Sequence, residues 1–119
     1  MLGYMPGALL GGENLPIDLY RQWRHWCGFP HYFFDDPGVA QALIHFAEVR
    51  TPIRAASSID DLWIPPVSRD FFFKGYRNAP VSPVNLTPAD HGLKSLGHMG
   101  YFRRNAQPLW DAVLDWFDE

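Results

Sequence analysis

Pro52-Ile53-Arg54-Ala55-Ala56-Ser57, continued by Ser58-Ile59-Asp60-Asp61-Leu62-Trp63-Ile64-Pro65-Pro66, decides the fold. The first six residues are a strand-length run, entered through the helix-breaking Thr51-Pro52 and left through a polar turn. Pro65 or Pro66 then opens a helix, because the fixed φ of proline suits a first helical turn and its missing N–H is not needed there. That helix carries Val67, Phe71, Phe72 and Phe73 and ends near Gly75. After a loop over residues 80–83, Val84-Asn85-Leu86-Thr87 reads as a second short strand. Strand, helix and strand within residues 52–87 make a βαβ crossover, which is nearly always right-handed and builds a parallel sheet. The chain is therefore expected in the α/β class. Parallel sheets usually have several strands and are covered on both faces. Only two convincing strands are readable here, so the remaining strands are expected on another chain or in upstream sequence.

Upstream of this unit, Asn14 is expected to cap a helix that Pro16 opens and Gly28 closes. Leu19, Tyr20, Trp23, Trp26 and Cys27 recur on it at helical spacing, with Arg21, Arg24 and His25 off the stripe. An aromatic loop follows, Phe29-Pro30-His31-Tyr32-Phe33-Phe34-Asp35-Asp36, and Pro37 starts a second helix with Val39, Ala40, Leu43, Ile44 and Ala47. Downstream, a terminal helix from Asn105 is expected to turn Leu109, Trp110, Val113, Leu114 and Phe117 inward and Asp111, Asp115 and Asp118 outward. Phe71-Phe72-Phe73 points around its helix in three directions, so at least one ring must meet another element.

Length and composition narrow the function. The 119 residues, 47% apolar, are one domain's worth with room for one core. A net charge of −3 gives no electrostatic footprint for nucleic acid or for anionic lipid. Nowhere do about 18 apolar residues run together, so no membrane span is expected. The single cysteine, Cys27, fits a reducing compartment, and cytoplasm is the expected location. Met1 to Gly12 is apolar, broken by Pro and Gly and without a basic stretch. It reads poorly as a signal peptide and more as the middle of a longer sequence. Aromatic residues reach 16%, including nine Phe and five Trp, which want more partner surface than a short chain supplies.

Two groups carry chemistry. Asp60 and Asp61 fall in the turn after the first strand, and His98, within Gly97-His98-Met99-Gly100-Tyr101-Phe102, falls in the loop after the second. Both lie at carboxyl ends of strands, the edge where ligands and catalytic groups gather in open α/β sheets. An Asp and a His brought together there form an orienting acid and a general base. A nucleophile is missing: none of Ser57, Ser58, Ser68, Ser82 and Ser95 stands in a G-x-S-x-G turn. The histidines His25, His31, His45 and His91, with Asp35, Asp36 and Asp90, show no H-E-x-x-H or paired Cys and His spacing, so no metal and no other cofactor is expected.

The stretch Ile53 to Pro66, the motif Gly97 to Arg103 and the helix Trp23-Arg24-His25-Trp26-Cys27 resemble the C-terminal portion of α/β-hydrolase-fold proteins. The likeness is to a bacterial group of predicted esterase-like hydrolases. The resemblance covers nearly all of the chain and implies one partial domain, residues 1–119. Residues 12–36 would belong to a helical cap, and residues 37–119 would supply few parallel strands with flanking helices. The family's triad runs Ser, acid, His along the chain, and its acid commonly stands four residues before a helix-opening proline. Asp61 fits that register to Pro65 better than Asp60 does, and His98 is the matching base. Trp23, Trp26, Tyr32, Phe33 and Phe34, with Trp63, would line an apolar substrate pocket. The resemblance further implies a small ester-like substrate in the complete protein. The nucleophile elbow and oxyanion donors would lie upstream, so the chain would be a truncated hydrolase, silent alone. The alternative is a non-catalytic remnant that uses its uncovered sheet edge to associate with itself or with a missing N-terminal half.

Overall fold

A computed structural model describes residues 4–7 and 14–118. The chain divides into two compact units, Met1–His45 and Phe46–Glu119. Most of the Met1 to Gly12 stretch, and the start of the cap-like segment at residue 12, lie outside the described residues.

In the first unit, β1 (Tyr4–Met5) pairs antiparallel with β2 (Leu15–Pro16), and α1 (Ile17–Trp26) follows directly. Asn14 does not cap this helix, contrary to the expectation. Its side-chain oxygen instead accepts the Gly7 N–H at 2.9 Å, and Pro16 occupies the N-cap without a side-chain bond. Cys27 closes α1 as its C-cap and is exposed rather than buried. The aromatic segment winds into a 3-10 turn, Tyr32–Asp35, and a second 3-10 stretch runs from Pro37 to Glu48 where an α-helix is expected. The tighter winding has three residues per turn, which aligns the half-buried Leu43 and Phe46 at an interval of three.

The second unit holds β3 (Ile53–Ser58), α2 (Pro66–Phe73) and β4 (Val81–Leu86). β3 and β4 pair in parallel from Ile53 opposite Val81 to Ser58 opposite Leu86. The protein is thus mixed α/β, with helices and a two-stranded parallel sheet among the described residues. β4 begins earlier than its composition suggests, because Pro83 is tolerated inside it. Ile53 N–H donates to Pro80 and Ile59 N–H to Leu86, so the even-numbered residues of β4 turn their hydrogen-bonding groups toward β3. Pro83, being odd, puts its missing N–H on the open edge, where proline costs a sheet nothing.

Side chains alternate across a strand. On one face of β3 Ser57 meets Arg69 of α2. On the other, the Arg54 guanidinium lies 5.2 Å from the ring centre of Trp116, on α3 (Gln107–Phe117). Arg69 is almost fully buried, and its guanidinium is satisfied throughout. It donates to Ser57 Oγ at 2.9 Å, the Val84 carbonyl at 2.8 Å, Asn85 Oδ1 at 2.8 Å and Asp70 Oδ1 at 2.9 Å. The rings of Phe72 and Phe73 meet each other and Tyr76, which also meets Phe46, and Lys74 sits over Phe71. The Phe run thus finds ring and cation partners inside this unit.

A small core of Leu93, Leu96, Ala106 and Leu109 lies beyond β4, with Leu86 and Tyr101 against it. α3 starts later than expected, after a 3-10 turn over Arg104–Ala106. Of its expected inward stripe only Leu109 is buried; Trp110, Val113, Leu114 and Phe117 are exposed. The stripe is amphipathic by spacing, but spacing cannot supply a surface to cover it. Among the described residues no helix is long and apolar enough to cross a membrane.

Candidate functional site

The site is built on the carboxyl ends of the two parallel strands. β3 ends at Ser58, and the chain turns at once, with Asp61 N–H donating to the Ser58 carbonyl at 3.2 Å. Asp61 is 4% exposed. Its Oδ1 accepts the N–H groups of Trp63 at 2.8 Å and Ile64 at 3.0 Å, a local turn that side chains of this length favour. Its Oδ2 lies 3.0 Å from His98 Nδ1. Burial pushes the Asp61 carboxyl up, but the Ile64 N–H, the His98 ring and the Trp63 N–H together outweigh it and hold the group below the usual carboxylate range. A carboxylate only accepts, so Nδ1 supplies the proton of this bond, and in the neutral form of the ring that assigns the lone pair to Nε2. Among the described residues Nε2 meets no hydrogen-bond partner, and the side chain is one third exposed.

After β4, a 3-10 turn over Pro88–His91 leads into the loop that carries the histidine. Leu93 and Leu96 anchor that loop in the core, at 8% and 3% exposure. Gly97, directly before His98, has φ +60°, a left-handed conformation that suits glycine because a Cβ would crowd the backbone there. Gly100 answers a different need: a Cβ on it would stand 3.1 Å from Leu96 Cδ1, closer than ordinary contact. Gly97 frees the turn and Gly100 lets the next turn close on Leu96, so the histidine projects between two fixed points.

Asp60 does not touch His98. Its Oδ2 accepts the Leu96 N–H at 3.0 Å, and its Oδ1 accepts the Gly97 N–H at 2.9 Å and the Ser58 hydroxyl. The Ser58 hydroxyl and these two backbone groups hold its carboxyl below the usual range. Tyr101 ties the same corner, its hydroxyl accepting the Ser58 N–H at 2.6 Å and its carbonyl accepting the Trp110 indole N–H at 2.7 Å. Ser57 and Ser58 are buried with their hydroxyls engaged, Ser57 by Arg69 and Ser58 by Asp60 and the Leu86 carbonyl at 3.3 Å.

The expected pocket residues fall in two groups. Trp26, Tyr32 and Phe33 form one aromatic cluster in the first unit, with centroids 5.6 Å apart from Trp26 to each partner and 5.0 Å between Tyr32 and Phe33. Phe34 adjoins Phe33 at 4.8 Å, while Trp23 pairs with Tyr20 at 6.0 Å. Asp36 braces this cluster: it accepts the Trp26 indole N–H at 2.8 Å, and that bond, with the Gly38 N–H and His25, lowers its pKa. In the second unit Trp63 stacks on the His98 ring, 5.3 Å between centroids and 22° between planes. Trp63 therefore buttresses the imidazole while leaving 59% of its own surface exposed.

The sequence offers Asp60 only as the less favoured alternative to Asp61 and gives Tyr101 and Arg69 no site-forming role. The Asp60-Asp61 doublet was the available signal for the first, but which carboxylate binds a ring and which binds backbone depends on the path of the distant loop. Among the described residues no three His, Cys, Asp or Glu side chains converge as a metal-binding group. No family model, curated protein or solved structure matches the chain.

Proposed function

We propose that Asp61 and His98 are the orienting acid and general base of an α/β-hydrolase-type serine hydrolase that cleaves esters or related acyl bonds. The reading is carried by one observation, the Asp61 Oδ2 to His98 Nδ1 contact at 3.0 Å with Nε2 turned away from it. In the reaction Nε2 takes the proton of an attacking hydroxyl while its oxygen bonds to the acyl carbon. The imidazolium so formed faces the Asp61 carboxylate, and Nε2 then returns the proton to the departing alkoxide. On this reading the attacking hydroxyl and the oxyanion donors belong to the complete protein, as the resemblance implies, and the buried Ser57 and Ser58 hydroxyls are engaged by Arg69, Asp60 and the Leu86 carbonyl. On the same reading the aromatic cluster around Trp26 is cap-like apolar surface, and a reducing cytoplasmic setting suits the exposed Cys27 thiol.

The test is hydrolysis of short p-nitrophenyl esters by a polypeptide carrying a strand, a G-x-S-x-G turn and a helix in frame ahead of this chain. Activity that falls about 10³-fold or more on His98→Ala is expected for a lost general base. Activity that survives the substitution removes His98 from the role.

A second reading, a non-catalytic association module, is favoured by the exposure of Leu62 at 92%, Phe102 at 77% and Phe117 at 73% beside a sheet with open edges.

A further inference from the structure

The Asp60-Asp61 doublet ties one strand end to one loop twice, and the two ties differ in kind. Asp61 holds the imidazole; Asp60 holds the peptide groups immediately before it. The Leu96 and Gly97 N–H groups are consecutive, and they converge on the two oxygens of one carboxylate at 3.0 and 2.9 Å. Consecutive N–H groups around a left-handed residue form a concave anion site, and Gly97 at φ +60° supplies that residue. Here the anion is internal, a side chain delivered from the end of β3. The Ser58 hydroxyl steadies the same carboxylate from below, and Ser58 itself is fully buried. The Leu96 side chain sits in the core, and Gly100 closes on it from beyond the histidine. Apolar packing fixes how deep the loop lies; it does not fix rotation about the Gly97 backbone, where glycine offers little resistance. That rotation aims the His98 ring.

We infer that Asp60 is the positioning residue of this site: by binding the Leu96 and Gly97 N–H groups it sets the direction in which His98 leaves the backbone and so keeps Nδ1 on Asp61. The inference rests on reading His98 and Asp61 as the base and its orienting acid. It assigns the two carboxylates separate work, one on backbone and one on ring. Asp60 touches neither the imidazole nor any reacting atom, so it acts only through the loop. Asparagine at this position keeps the shape but offers one acceptor oxygen in place of two, which leaves one of the two N–H groups facing an amide NH₂. Glutamate keeps both oxygens and the charge but moves them outward by one methylene.

The experiment is nuclear magnetic resonance on the 119-residue chain at neutral pH, comparing the wild type with Asp60→Asn, Asp60→Glu and Asp61→Asn. Three signals are followed: amide exchange at Leu96 and Gly97, the His98 ring nitrogens with the Nδ1 proton, and amide exchange in the core at Ala106 and Leu109. In Asp60→Asn the Leu96 and Gly97 amides are expected to exchange about tenfold faster, the loss of one charge-assisted bond. The Nδ1 proton signal broadens or disappears with them, while the core amides stay protected. Asp60→Glu gives the same changes at smaller size. Asp61→Asn moves the ring signals and leaves Leu96 and Gly97 slow. If the loop amides speed up in the Asp60 variants and the His98 ring signals do not move, the clamp is only structural and the inference is overturned. If both Asp60 variants lose core protection, Asp60 is a folding residue and the inference is overturned equally. A ring unmoved by Asp61→Asn overturns instead the acid and base assignment on which the inference rests, an outcome read from a different variant.

Discussion

Asp60 and Asp61 are adjacent in the chain, yet one is fixed by backbone and a hydroxyl and the other by a ring and a short turn. Hydrogen bonds hold both carboxyls below the usual carboxylate range, as they do Asp36 in the first unit. The sign of the consequence follows. A carboxyl with a lowered folded pKa contributes its full stabilisation above the unfolded value of about 4 and loses it as pH falls through the lowered value. Urea unfolding in steps from about pH 6 to about pH 2.5 is therefore expected to show stability that is level, as far as these groups decide it, down to about pH 4 and then declines. Replacing Asp60 and Asp61 together by Asn makes that acid decline shallower without abolishing it, because Asp36 still titrates. An identical decline in both proteins would mean that the contacts around Asp60 and Asp61 do not favour their charged forms. At this scale the resemblance pointed to Asp61 through its register to Pro65, and Asp61 is the carboxylate that lies against the His98 ring, with its turn binding the Trp63 and Ile64 N–H groups. The work of Asp60 was not, since its partners lie 36 and 37 residues away.

The strand, helix and strand of residues 53–86 followed from prolines and apolar runs, and they form as a parallel pair with α2 between them in sequence. What holds α2 to the strands was not readable, because it is a cation. Arg69 sits in a run with Asp70 and three phenylalanines, where a charge on a helix normally reads as a solvated face. The guanidinium instead reaches Ser57 on β3 and Val84 and Asn85 on β4, a planar fork satisfied by fixed acceptors. Removing it strands the buried Ser57 hydroxyl and the packing between helix and sheet. Arg69→Ala is expected to lower the unfolding free energy by about 2–4 kcal/mol. Arg54→Ala, which loses among its contacts the one between an exposed guanidinium and Trp116, is expected to cost less than Arg69→Ala. Urea denaturation of the two variants beside the wild type ranks them, and a smaller loss at Arg69 than at Arg54 would dismiss Arg69 as the staple of this unit. The same limit explains α3: its spacing predicts an inward stripe, but Trp110, Val113, Leu114 and Phe117 are exposed because nothing in the pattern says what would lie against them.

Among the described residues the buried apolar side chains are few and small, Ala55, Leu93, Leu96, Ala106 and Leu109, while Leu62, Trp63, Met99 and Phe102 stand exposed around Asp61 and His98. Solvated apolar side chains scattered singly need no explanation, but these belong to the two loops that meet where Trp63 stacks on His98. Among the described residues the sheet beside them has two strands, so its edges go unpaired there, partly guarded by Pro83 on β4. Apolar surface of this kind is removed from water wherever a partner surface is offered, at roughly 25 cal/mol per Å² buried. At raised concentration the partner most available is a second copy of the chain. Sedimentation velocity over a hundredfold concentration range is therefore expected to show a rising weight-average mass. Replacing Leu62 and Phe102 together by Ser should flatten that rise, since each contributes a large exposed side chain from a different loop. His98→Ala should leave it unchanged, because the imidazole offers little apolar area and its partner Asp61 is buried. A mass constant across the range in the wild type would count against association through this face and leave the acid and base pair as the better account of why these loops are built together.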